Sequence, residues 1–114
     1  MLYNKWDVIF VPTFPNQENK TNFSPKPAIV LEVKGTKVSI CPITTKLHQA
    51  SIYRDTIRVD KRTPEHNSMG LRSNSLIVLD RIEEIDISRI ESKFGTCHQN
   101  IRTQIGSILA KNKK

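Results

Sequence analysis

Three histidines, His48, His66 and His98, are the side chains whose ordinary titration falls near neutral pH. His48 closely follows the segment Pro42-Ile43-Thr44-Thr45, where an imidazole is poised for proton transfer, although a lone loop histidine is ordinarily solvated. His66 stands beside Glu65 in a polar stretch, and His98 stands where it would cap the last helix. No two of them share a metal-ligand spacing, so neither a metal nor another cofactor is expected. Cys41 and Cys97 lack such spacing too, and are expected to be free buried thiols of a reducing compartment. The hydroxyls of Thr44 and Thr45 can bond a phosphate oxygen, and they equally suit a turn in which they satisfy the backbone.

Positive charge is what the chain has in excess. Eighteen Lys and Arg face eleven Asp and Glu, giving +7 and a pI near 9.7. Such an excess draws polyanions, because each phosphate contact releases counterions, although basicity can also serve solubility alone. The charge is uneven: residues 1–75 hold eleven bases against six acids, whereas Asp80, Glu83, Glu84, Asp86 and Glu91 crowd one segment. Lys111-Asn112-Lys113-Lys114 is expected to be a frayed basic tail.

The elements that must position these groups are mostly strands. A length of 114 residues with 37% hydrophobic side chains fits one domain spanning 1–114. Trp6 to Val11 reads as a strand ended by Pro12, and residues 13–26 as a long loop. The near-continuous apolar run Ala28 to Val33 predicts a buried strand. Lys34-Gly35-Thr36 turns it into a partner over Lys37 to Cys41, which Pro42 ends. A less regular strand is expected over Ile52 to Val59, a loop over 60–70, and two strands over Leu76 to Leu79 and Ile82 to Ile85. Asp86 is placed to cap a short helix over Ile87 to Lys93 that Gly95 ends. Ile101, Ile105, Ile108 and Leu109 then mark one face of an amphipathic helix. The pattern is mainly β with a C-terminal helix. The only early apolar run is broken by Pro12, so neither a secretory leader nor a membrane span is expected, and the protein is expected to be cytoplasmic.

Three segments in order carry a resemblance. They are Lys26-Pro27-Ala28-Ile29-Val30-Leu31 after a Trp6-Asp7-Val8 strand, Cys41-Pro42-Ile43-Thr44-Thr45, and Leu76-Ile77-Val78-Leu79-Asp80-Arg81-Ile82 running into Ile85-Asp86 and Ser88-Arg89-Ile90. Together they resemble the PemK/MazF family of toxin endoribonucleases over roughly residues 5–110. The resemblance implies a small SH3-like barrel with a C-terminal helix, working as a homodimer. It also implies sequence-selective, metal-independent cleavage of single-stranded RNA through its own 2′-hydroxyl. A cognate antitoxin, whose extended tail fills the RNA groove, is the implied protein partner.

Residue by residue, the family's usual arginine before the proline is here Lys26, which keeps the charge but loses the planar fork. Thr44 matches the family's active-site threonine. Asp80 matches an acidic position that acts as general base in some members, yet Val78 stands where those members carry an arginine. Arg81 follows Asp80, but neighbouring strand residues point to opposite faces. Asp80 therefore reads either as catalytic or as a bond to a loop backbone. Lys20, Lys46 and Arg54, with Thr45 and His48, are expected to flank the RNA groove, and Phe14 to stack a base, with Phe23 and Tyr53 as further stacking candidates. Two alternatives stay open: a gyrase-directed toxin on the same barrel, and a catalytically inactive RNA-binding relative.

Overall fold

The apolar run from Ala28 to Leu31 is unbroken because its strand is buried on both faces. The computed structural model describes residues 3–15 and 23–112, and in it this run belongs to β2 (Phe23–Lys34), flanked by β1 (Asp7–Pro15) and β3 (Lys37–Thr44). Ala28 and Val30 face a cluster with Ile9, Val11, Phe14, Val38 and Ile40. Ile29 and Leu31 face a second cluster with Val8, Cys41, Ile43 and Ile77. Period-2 alternation thus feeds two cores at once.

The other strands are β4 (Thr56–Val59), β5 (Ser75–Val78), β6 (Glu83–Asp86) and β7 (Ser92–Thr96). They join in the order β4-β5-β3-β2-β1-β7, with β6 added to the first half of β3. The sheet curls into a half-barrel, and the fold is mainly β with a C-terminal helix, the SH3-like architecture expected. That helix, α2 (Gln99–Asn112), buries Ile101 and Ile105 and half-buries Ile108 and Leu109 against the second cluster. The stripe read from the sequence is its core face. Lys111 and Asn112 continue this helix, while Lys113 and Lys114 of the expected tail lie outside the described residues. No helix among the described residues is long and apolar enough to cross a membrane.

Both prolines expected to end strands lie inside them. Pro12 falls in the register shift between Val11 and Phe14, where a missing N–H interrupts no ladder. The connection is therefore shorter than 13–26, since β1 runs to Pro15 and β2 begins at Phe23. Pro42 lies where the edge of β3 changes partner, from β6 (Lys37 to Ile40) to β5 (Ile43 and Thr44). Its absent donor is not needed there.

Two helical assignments also differ. The expected loop 60–70 contains α1 (Pro64–Met69), with Thr63 Oγ1 accepting from the His66 N–H at 3.2 Å and Gly70 closing it at φ 71°. Thr-Pro at the start and Gly at the end are ordinary helix signals, and the helix they bound is only six residues long. Conversely, Asp86 does cap Ser88 at 2.9 Å, but only a 3-10 turn (Ile87–Arg89) follows. The Glu91 N–H then donates to the Phe10 carbonyl and draws the chain into β7 beside β1. Cross-strand pairing overrides local helix preference here. Similarly, the strand expected over Ile52 to Val59 shortens to β4, and a 3-10 turn over Leu47–Ser51 precedes it.

Candidate active site

The register of the central hairpin assembles the site. The β2–β3 ladder ends with Ala28 paired to Pro42, and its register carried two residues further along each strand sets Lys26 across from Thr44, on the face of Ala28 and Val30. On its other side Lys26 pairs with Val11 of β1. Its side chain is half-buried, and burial, then the charges of Lys46 and Arg81, hold its ammonium below the ordinary lysine range. Thr44 is 7% exposed, and its Oγ1 accepts from the Lys46 N–H at 3.1 Å. That bond fixes the turn leaving β3 and leaves the hydroxyl proton available for donation. Lys46 itself is exposed.

The third cation comes from a different element. β5 pairs with β3 through Ile77 to Ile43 and Leu76 to Thr44, then ends in a 3-10 turn over Leu79–Arg81. The Arg81 guanidinium lies over the Phe14 ring, 6.0 Å from its centre, and Phe14 is fully buried. Lys26, Thr44, Lys46 and Arg81 are therefore brought near one another by three stretches of chain. The arrangement concentrates positive charge beside a sheltered hydroxyl, which suits an anion such as a phosphodiester.

Asp80 faces elsewhere. Its carboxylate accepts from the backbone N–H groups of Arg54 at 3.1 Å and Asp55 at 2.8 Å. With Arg54, Asp55, Lys111 and Asn112 it lines a depression of about 550 Å³ at the end of α2. Arg54 belongs to this second cluster, since its Nη2 donates to Asn112 Oδ1 at 3.0 Å. Of the two readings left open for Asp80, the geometry matches the backbone bond.

The remaining expected groups scatter. Phe14, expected to stack a base, is sealed in the core and instead supports Arg81. Thr45 is exposed, and His48 is exposed on the 3-10 turn, where its carbonyl accepts from Ser51 Oγ. Lys20 and the Phe23 side chain lie outside the described residues. His98 Nδ1 accepts from the Asn100 N–H at 3.1 Å, the cap expected of it, while His66 is buried with Nε2 2.7 Å from the Ser73 carbonyl oxygen. Burial pushes the Cys41 and Cys97 thiols up to about 12, so both are inert near neutral pH. Among the described residues no three of His, Cys, Asp and Glu converge as metal ligands.

Two features escape a reading of the sequence alone. Arg81 lies on a 3-10 turn, where strand alternation does not apply. A groove of about 530 Å³ lies beside the site, lined by Pro27 and Thr45, the chain neighbours of Lys26 and Thr44, with Phe10, Leu71, Arg72 and Phe94. Phe94 is 44% exposed and tilted against Phe10 at 5.8 Å, and the helix expected over Ile87 to Lys93 had hidden it at the wrong end of an element.

A curled half-barrel closed by one helix is a fold seen in solved structures. The toxin MazF-mt6 of Mycobacterium tuberculosis matches with a TM-score of 0.67 at 14% identity, covering 92% of this chain and 93% of that one. An endoribonuclease in complex with its cognate antitoxin, from a mycobacterial species, matches with a TM-score of 0.63 at 12% identity, covering 96% and 91%. No curated protein sequence matches this chain. The sequence profile of the PemK-like, MazF-like toxins of type II toxin–antitoxin systems matches residues 4–112. The chain belongs to that toxin family.

Proposed function

We propose that this toxin is a sequence-selective endoribonuclease that cuts single-stranded RNA without a metal ion. The observation that carries the reading is the half-buried Lys26 opposite the buried Thr44, with Lys46 and Arg81 around them. The RNA 2′-oxygen attacks the adjacent phosphorus and the bond to the 5′-oxygen breaks. The 2′-hydroxyl proton leaves to solvent, and the Lys26 ammonium protonates the departing 5′-oxygen before taking a proton from water. Thr44 donates to a non-bridging oxygen, and the surrounding cations stabilise the extra charge of the phosphorane. A 2′,3′-cyclic phosphate and a 5′-hydroxyl result.

A lysine with a lowered pKa suits the acid role better than an exposed one, because a weaker ammonium gives up its proton more readily. Thr45 and Lys46, just beyond Thr44, would guide the strand outward, and His48 lies further along the same path. The partner is a cognate antitoxin that competes with RNA for the same cations, a reading supported by the antitoxin-bound neighbour. Two copies would meet through the face where Ile82 is 42% exposed beside Tyr3, Leu31, Val33 and Leu109, in the cytoplasm where RNA is met.

The test is cleavage of a long RNA by purified protein with chelator present, comparing wild type with Thr44→Ala and Lys26→Ala and analysing the ends. Cyclic phosphate ends at preferred sequences, lost in both variants, are expected. Binding without cutting would overturn the enzymatic reading and leave an RNA-binding protein.

A further inference from the structure

We propose that Arg81 is a catalytic residue that grips the scissile phosphate through two parallel hydrogen bonds, complementing the single charge of Lys26. The inference rests on the ribonuclease reading and adds a residue to it.

The chemistry asks for such a group. A phosphorane carries its developing charge on two equatorial non-bridging oxygens, and a planar guanidinium matches a pair of oxygens where a compact ammonium meets one. Thr44 adds a single donor, and Lys26 faces it across the hairpin. Arg81 brings the one guanidinium whose charge is felt at Lys26.

The geometry holds this guanidinium firmly. Leu79, two residues earlier, is buried, and its N–H donates to the Asp55 carbonyl at 2.8 Å. Asp80 ties the same turn to the Arg54 and Asp55 amides. Beyond the turn, Arg81 rests on Phe14, whose strand runs beside Lys26: Val11 pairs with Lys26 and Phe14 with Ser24. A guanidinium lying over a ring directs its N–H groups sideways, in its own plane. Rigid support of this kind is what a transition-state contact needs, because no reorganisation remains to be made during the reaction.

The experiment measures RNA cleavage by wild type, Arg81→Ala and Arg81→Lys, with thermal unfolding of each. Arg81→Ala is expected to lower kcat/KM by about 10²–10³-fold, the usual cost of removing one preorganised donor. Arg81→Lys should stay well below wild type, since it restores charge without the fork. If uncovering Phe14 unfolds the alanine variant, Arg81→Lys, whose stem still covers the ring, carries the comparison. Wild-type rates in Arg81→Ala or Arg81→Lys overturn the proposal. A wild-type protein that cuts no RNA overturns the ribonuclease reading instead.

Discussion

Replacing Asp80 separates structure from chemistry. Its two oxygens accept from the Arg54 and Asp55 amides at 3.1 and 2.8 Å, in a site open to water. Charge-assisted bonds of this kind are worth about 1.5–3 kcal/mol each when sheltered, and solvent competition brings the pair nearer to a helix cap. Asp80→Ala should therefore cost about 1–2 kcal/mol, lowering Tm by roughly 4–8 °C. Asp80→Asn keeps one acceptor and should cost about half as much. The turn retains the bond from the Leu79 N–H to Asp55 and the buried Leu79 side chain, so Arg81 stays over Phe14. Cleavage by Asp80→Asn, measured well below its Tm, should thus remain within about threefold of wild type, whereas loss of a general base costs 10²–10⁴-fold. Thermal unfolding and single-turnover cleavage on one preparation decide the matter. An unchanged Tm with cleavage down about a hundredfold would refute the assignment and make Asp80 the base.

Lys26 gives a pH signature. Its lowered pKa means that cleavage should fall with rising pH before the ordinary lysine value of 10.5 is reached. Removing a neighbouring charge with Lys46→Gln should move that fall to higher pH, as a pH–rate profile will show. The stability sign follows: a folded state that disfavours the ammonium is penalised below the folded pKa and gains stability as pH rises toward 10.5. Lys26→Met should accordingly raise Tm near neutral pH, with the gain vanishing at the alkaline end of a Tm–pH series. At the contact of α1 with β7, a Cβ on Gly95 would clash with the Ser68 carbonyl oxygen. Gly95→Ala should cost about 1–3 kcal/mol by denaturant unfolding, because backbone must shift. Phe94, exposed in the groove beside Thr45, offers a stacking face. Phe94→Ala should change which sequences are cut, read by end-mapping of a long RNA, while Tm changes little.

Much of the fold is legible where one physical rule acts alone. The helical stripe of Ile101, Ile105, Ile108 and Leu109 has a single explanation, and so has the turn at Gly35, whose φ is 60°. Legibility fails where two rules compete. Pro12 and Pro42 each lack a donor, but a proline ends a strand only if the ladder needs that donor, and this depends on distant partners. Residues 87–93 carry a good cap and still form only one 3-10 turn before joining β7, because β1 offers an edge. Nothing local to those residues records that edge.

The site is harder to read for the same reason, and the hairpin shows how narrowly. Near its turn the pairs are Lys34 with Lys37, Val33 with Val38 and Glu32 with Ser39. Carried outward unchanged, that register would set Lys26 opposite Thr45. The register shifts between Val30 and Glu32, leaving Leu31 as an extra residue on β2, and beyond it Val30 pairs with Ile40 and Ala28 with Pro42. That one-residue slip brings Thr44, not Thr45, across from Lys26 and turns Thr45 toward the groove of Phe94. Leu31 can be the extra residue because the second core accepts its side chain. The chemical pairing thus depends on a packing choice five residues away from Lys26, made by a leucine that does no chemistry.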